Sequence, residues 1–175
     1  MAWLYDDRED AGRTLAALVA DAGLPRRTLV VALLRGGLPV ARPVALSLGA
    51  RLGAFDVRAR EPHAVIVIGI DPAEISGRPV LLVDDGMMTG STMRAAIHGA
   101  IELGASSVVI AAPVASAQAI DRASSLADLV ICPAIPEPMH EVRTWYRAYE
   151  PVEDDELESL FAQHPGGNDV HMERR

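Results

Sequence analysis

Four short apolar runs of strand length constrain this chain more than any other feature: Thr28 to Leu34, Val80 to Val83, Ser107 to Ala112 and Leu129 to Ile131. A strand with one wet face alternates apolar and polar residues. Runs that stay apolar throughout need cover on both faces, which is the situation of a parallel sheet between helices. The intervening segments supply those helices. Asp6 to Asp21 places Ala11, Leu15, Leu18 and Val19 at helical spacing, crowds acids into its first turn, and is stopped by Gly23 and Pro25. Further helices are expected from Pro39 to near Gly49, from Thr92 to Leu103 with Gly104 behind it, from Ser116 to Leu126, and from Val152 to Phe161. Arg51 to Arg58 and Ala64 to Ile70 read as two more strands, and Ser76-Gly77-Arg78-Pro79 as a turn. The pattern predicts an α/β fold: one doubly wound domain over residues 1–162 with a mainly parallel sheet, followed by a polar tail, 163–175, expected to be frayed. A length of 175 residues suits one core.

Charge and composition narrow the partners. Half of the residues are apolar, and the formal net charge is -8. An acidic chain lacks the basic face that nucleic acid and anionic membranes require, so neither is an expected partner. All 16 basic residues are Arg and there is no Lys, so any cation in a site must be a guanidinium or a metal. Cys132 is the single cysteine and follows Val130 and Ile131, which reads as a buried thiol without a disulfide partner. No stretch approaches the ~20 apolar residues that span a bilayer, and the N-terminus lacks a signal pattern, which points to the cytoplasm. The five histidines are scattered without metal-ligand spacing.

In open parallel sheets ligands bind beyond the carboxyl ends of the strands. Two such ends carry unusual loops here: Arg35-Gly36-Gly37, and Asp84 to Thr92. In the second, an apolar strand delivers Asp84 and Asp85 to the sheet edge, and Gly86, Met87, Met88, Thr89, Gly90, Ser91 and Thr92 lead into a helix. Main-chain N–H groups in the first turn of a helix lack partners within it, and they converge with the positive end of the helix dipole, which suits a phosphate. The hydroxyls of Thr89, Ser91 and Thr92 can add donors, each hydrogen bond to a charged group being worth about 1.5–3 kcal/mol. Two adjacent carboxylates would repel that phosphate, but they suit a vicinal diol or a hydrated divalent cation. A ligand with a phosphate at one end and a ribose diol beside it satisfies both halves. Competing readings fit less well. A receiver domain needs a Lys, and its Asp pair lies near the N-terminus. A Walker loop needs Gly-Lys-Ser/Thr. A serine hydrolase needs a Gly-x-Ser-x-Gly elbow, and a plain helix cap needs one hydroxyl rather than two acids and a glycine loop.

At these residues the chain resembles the type I phosphoribosyltransferases. Val80 to Thr92 is similar to that family's signature for 5-phosphoribosyl-1-pyrophosphate (PRPP), and Arg35-Gly36-Gly37 to its pyrophosphate loop, often built around a non-proline cis peptide. The stretch Asp7 to Arg13, Pro136-Glu137-Pro138, and Trp145-Tyr146 resemble a group of these proteins with undefined substrate. The resemblance implies a Rossmann-like phosphoribosyltransferase fold with a small C-terminal hood. It implies that Asp84 and Asp85 hold the ribose hydroxyls and Mg²⁺, directly or through water, and that Met88, Thr89, Gly90, Ser91 and Thr92 surround the 5′-phosphate. Arg35, Gly36 and Gly37, with Arg58 and Arg60, would take the pyrophosphate, and Asp84, Asp85 and Arg35 would carry catalysis. Ile135, Trp145 and Tyr146 would contribute to the hood, the two aromatic residues serving either as buried anchors or as base-stacking groups.

Two departures bear on substrate. The 6-oxopurine branch has an Asp at the position of Met88, so hypoxanthine and guanine are not the expected acceptors. The stretch from Arg58 to His63, where the family carries a mobile closing loop, is short. The implied reaction transfers phosphoribosyl from PRPP to a nitrogen acceptor, a nucleobase in the first instance, with release of pyrophosphate. A PRPP-binding regulator without turnover is the alternative from another class, and a PRPP-synthetase-like protein is disfavoured by the lack of a visible ATP site. Such folds often dimerise, so a homodimer is a further expectation.

Overall fold

A computed structural model describes residues 3–57 and 65–164. Arg58, Arg60, the rest of the expected closing segment and nearly all of the polar tail lie outside the described residues. The elements follow the chain as α1 (Arg8–Asp21), β1 (Leu29–Leu33), α2 (Gly37–Leu48), β2 (Leu52–Val57), β3 (Val65–Ile68), β4 (Pro79–Val83), α3 (Ser91–Glu102), β5 (Ser107–Ala111), α4 (Ala117–Ser124), β6 (Leu129–Ile131) and α5 (Asp154–Ala162). Short 3₁₀ turns stand at Pro72–Glu74 and Val142–Trp145.

The strands form one six-stranded sheet in the order β3-β2-β1-β4-β5-β6. All neighbours are parallel except β2 and β3, which pair antiparallel through Ala54↔Ile68 to Val57↔Val65. The apolar runs behave as their composition requires. In β1, Val30 and Ala32 face one apolar layer, which includes Leu15 and Val19 of α1, Leu38 and Val44 of α2, and Leu157 and Phe161 of α5. Leu29, Val31 and Leu33 face the other, with Met93 and Ile97 of α3 and Ala119 of α4. Every residue of β1 and β4 is buried, as expected of strands covered on both sides.

The order of strands reverses direction between β1 and β4, so the crevice above their carboxyl ends is the switch point at which doubly wound sheets bind ligands. A third, smaller apolar cluster roofs this edge: Tyr5, Ala11, Val114, Trp145 and Tyr146, with Ala134, Met139, Val142 and Tyr149 against them. The segment after β6 thus returns over the sheet edge and ties to the N-terminus through Leu4 N–H to Trp145 O (2.8 Å) and Arg147 N–H to Tyr5 O (2.9 Å).

Candidate functional site

The two unusual loops meet at the switch point. Leu33 ends β1, the Leu34–Arg35 peptide is cis, and Gly36-Gly37 opens α2. Both glycines are required by contact. A Cβ on Gly36 would sit 2.0 Å from Asp85 Oδ2, and one on Gly37 would sit 2.5 Å from the Val83 carbonyl oxygen. Only hydrogen fits where the turn after β1 presses on the end of β4.

Beyond β4 the chain is pinned from the β5 side. Asp84 N–H donates to Ala111 O (3.2 Å), Met87 N–H to Val114 O (3.0 Å) and Ser116 N–H to Met87 O (2.9 Å). Ser116 Oγ donates to Met88 O (2.6 Å) and Arg122 Nη1 to Thr89 O (2.8 Å). Gly90 caps α3 in the left-handed region, φ +72°, which favours glycine. The first backbone bond of α3 runs from Arg94 N–H to Gly90 O, so the amides before it point out of the helix mouth. Ser91 N–H leans on Thr89 Oγ1 at 3.3 Å, and the Thr89 and Ser91 hydroxyl oxygens lie 3.0 Å apart. The structure therefore brings Thr89, Gly90, Ser91 and Thr92 together at one helix N-terminus, as expected from sequence. Met88, by contrast, is a large, exposed apolar side chain.

The paired acids have unequal surroundings. Asp85 is 7 % exposed, and its Oδ2 accepts from Arg8 Nε (2.8 Å) and from the Tyr149 hydroxyl (2.7 Å). Tyr146 hydroxyl donates to the Asp85 carbonyl (2.6 Å), and the Arg8 guanidinium lies 3.6 Å from the centre of the Tyr149 ring. Arg8 reaches this position because Asp7 caps α1, its side chain accepting from Asp10 N–H at 2.8 Å, and sets Arg8 as the first helical residue. Burial works against the Arg8 charge, but the hydrogen bond and charge of Asp85 outweigh it and raise its pKa. Burial, then the Asp85 charge, push the Tyr149 and Tyr146 hydroxyls far above the ordinary phenol range, so both stay protonated donors. Asp85 is thus an internal anchor joining the loop, α1 and the hood, and of the two acids expected to hold the ribose hydroxyls and Mg²⁺ it is the one whose Oδ2 already has two protein partners.

Among the described residues Asp84 stands in no ion pair, and the Arg8 charge is the least of the influences on it. Its Oδ1 accepts from Asp85 N–H at 2.9 Å. Burial first, and then the Asp85 charge, raise its pKa well above the usual carboxylate range. A carboxylate held this way gains from an incoming cation or hydroxyl donors.

Three other candidates, Arg35, Trp145 and Tyr146, also have protein partners. Arg35 Nη1 pairs with Asp154 of α5 and donates to Val152 O (3.4 Å). Its guanidinium therefore lies against the C-terminal segment, and a diphosphate would compete with Asp154 for it. Trp145 and Tyr146 are 8 % and 5 % exposed. Tyr146 packs on Tyr5 and Tyr149 with ring centres 5.6 and 5.3 Å apart, so these residues are the anchors of the hood rather than an open stacking surface. Ile135 is exposed and lines a separate cavity with Leu129, Val130 and Cys132. Arg8, Tyr149 and Asp154 were not singled out from sequence. Arg8 sits among ordinary helix-start charges, and no periodicity marks a residue whose partner lies 77 positions away.

Among the described residues no group of three His, Cys, Asp or Glu could enclose a metal ion, and no helix is long and apolar enough to cross a membrane. The donor set near Asp84 still fits Mg²⁺ of the kind that keeps several waters and binds through one carboxylate plus phosphate oxygens of a ligand.

A family model described as the phosphoribosyl transferase domain matches residues 4–146. A Mycobacterium tuberculosis protein described as a phosphoribosyl transferase is 31% identical over 202 aligned residues, covering 88% of this chain and 45% of that protein. A ribose-phosphate pyrophosphokinase of Oceanobacillus iheyensis is 34% identical over 120 residues, 66% of this chain and 38% of that one. The chain spans less than half the length of these curated relatives. Among solved structures, a protein from Thermus thermophilus superposes with a TM-score of 0.76 at 28% identity, covering 91% of this chain and 97% of its own. The orotate phosphoribosyltransferase of Aeropyrum pernix superposes with a TM-score of 0.59 at 23% identity, over 76% and 72% of the two chains, which speaks for the fold alone.

Proposed function

The chain belongs to the phosphoribosyl transferase domain family, and from that premise we propose that it transfers the 5-phosphoribosyl group of PRPP to a nitrogen acceptor, a nucleobase in the first instance, and releases pyrophosphate. The observation that carries this reading is the open helix mouth at Thr89 to Thr92 on the loop that carries a partner-poor Asp84, with the start of that loop packed on the Gly36-Gly37 turn at the switch point.

The amides and hydroxyls of Thr89 to Thr92 would hold the 5′-phosphate and fix one end of the sugar. Asp84 would accept hydrogen bonds from the ribose hydroxyls and help hold Mg²⁺, while Asp85, braced by Arg8 and Tyr149, would keep the loop that carries Asp84 in place. When bound with the diphosphate, Mg²⁺ supplies the positive charge that offsets negative charge growing on the leaving oxygens. The Gly36-Gly37 turn lets main chain approach that diphosphate, and Arg35 would exchange Asp154 for it. The protein's contribution is therefore orientation and charge placement, with no covalent intermediate on a side chain.

The Arg35–Asp154 pair favours one second reading, a PRPP-binding regulator, because in this state the cation expected to serve the leaving group is already neutralised. Incubation with PRPP, Mg²⁺ and a panel of nucleobases decides between the two. Pyrophosphate release with any base is the expected result. Tight PRPP binding with no release across the panel establishes the regulator, and failure to bind PRPP overturns both.

A further inference from the structure

From the mouth of α3 a groove descends between α3 and α4, away from the crevice just described. It encloses ≈ 510 Å³, and its walls include Thr89 and Ser91 at the top, Arg94 and His98 on α3, and Arg122 and Ser125 at the far end of α4. Ser91, Arg94 and His98 follow one another on one face of α3 and carry the groove about 10 Å down the helix. Among the described residues no carboxylate lines it. In a chain of net charge -8, two guanidiniums and an imidazole facing one cavity without an acid among them make a local exception. Among the described residues neither of the two arginines on this groove, Arg94 and Arg122, stands in an ion pair, whereas Arg8 and Arg35 at the crevice both pair with acids.

Topology separates this groove from the PRPP crevice. A ligand that joins the α3 mouth to Asp84 and to the Gly36-Gly37 turn extends toward β1. Helix α4 follows β5 and packs beside β6, so the groove extends toward the opposite edge of the sheet. We propose that the α3–α4 groove is a second binding site, for a small phosphomonoester whose phosphoryl group lies between Arg94 and Arg122. Guanidinium forks match phosphoryl oxygens, Ser125 adds a hydroxyl, and the cavity is within the size of sites for small organic ligands. Arg122 Nη1 donates to the Thr89 carbonyl at 2.8 Å, which fixes its guanidinium at the wall of the groove.

The test is calorimetric titration of the intact chain with inorganic phosphate and, separately, with AMP, each with and without saturating PRPP and Mg²⁺. Binding should persist under PRPP, with an affinity within about threefold of that without it. It should fall at least tenfold in Arg94→Ala and, independently, in Ser125→Glu, both exposed positions, while the PRPP affinity of both variants is unchanged. Tighter binding of AMP than of phosphate assigns a nucleotide-like ligand, and equal affinities assign recognition of the phosphoryl group alone. If PRPP abolishes binding of both probes, or both variants bind them like the wild type, the proposal is overturned. A wild-type chain that binds either probe with the stated variant losses, yet never binds PRPP, would sink the transferase reading and leave the groove standing.

Discussion

Arg8→Ala should destabilise the protein far more than a typical helix-start substitution, because Arg8 is the sole cation on Asp85 in the described structure. The two side chains are each 11 % exposed and meet at 2.8 Å. Removing one partner of a buried ion pair leaves an uncompensated charge and costs about 3–5 kcal/mol. The guanidinium also covers the Tyr149 ring and donates to Glu150 O (2.7 Å), and the lost cation–π contact adds about 1 kcal/mol. For a chain of this size each kcal/mol moves the melting temperature by about 2–4 °C, so the expected drop is roughly 8–24 °C.

A double-mutant cycle tests the cause. Asp85→Asn on the Arg8→Ala background removes the orphaned charge while keeping an oxygen that can accept from Tyr149. The double variant should therefore recover about 1–3 kcal/mol relative to Arg8→Ala alone, measured by urea unfolding. If Arg8→Ala melts within 3 °C of the wild type, or if the two losses simply add, Asp85 does not depend on Arg8 and its role as an internal anchor is wrong.

Asp84→Asn should have the opposite sign for stability. A carboxyl whose folded pKa lies above its unfolded value favours folding most at low pH, and that contribution is lost as pH rises through the folded value. Relative to Asp84→Asn, the wild type should thus lose thermal stability as pH is raised from about 4 toward 8, while PRPP affinity in Mg²⁺ falls at least tenfold in the variant, about 1.4 kcal/mol. A wild type that gains on the variant over that range would refute the assigned surroundings. Gly36→Ala should displace the Asp85 carboxylate, since its Cβ would lie 2.0 Å from Oδ2. A stability loss comparable to that of Asp85→Ala is expected, and an unchanged melting temperature would show that the two loops do not press together.

Much of the fold was legible because it rests on local pattern. Wholly apolar runs at Val80 to Val83 and Leu29 to Leu33 could only be strands covered twice, and they pair in parallel through Leu29↔Val80 to Ala32↔Val83. The placement of the loop from Asp84 to Thr92 was legible for a similar reason: its pattern lies in consecutive residues, and α3 begins at Ser91, one residue from the expected start. The antiparallel β3 was not, since Val65 to Ile68 has the composition of either orientation and a short connection after β2 is what allows it to fold back. The helix expected from Pro39 to near Gly49 runs through Pro43, with Val44 and Ala45 buried, so packing holds it despite the proline. The fates of Asp85 and Arg35 depend on Arg8, Tyr149 and Asp154, from opposite ends of the chain, and adjacency in sequence gave the two acids no means of being told apart.

That inequality gives the site its logic. Two neighbouring carboxylates at a strand end repel, and a fold that left both bare would pay for it twice. Here the Asp85 carboxylate is neutralised internally, by Arg8 with the Tyr149 hydroxyl, while the Tyr146 hydroxyl holds its main-chain carbonyl, and the residue becomes the bolt between the loop, α1 and the hood. The other keeps its electrostatic cost when ionised, which a proton, an external cation or a diol can relieve. A ligand bearing cation and diol therefore stabilises the folded state by relieving Asp84, and mass action makes that gain grow with ligand concentration. If PRPP with Mg²⁺ raised the melting temperature of Asp84→Asn as much as that of the wild type, the relief would have to come from elsewhere, and the division of labour between the two acids would fail.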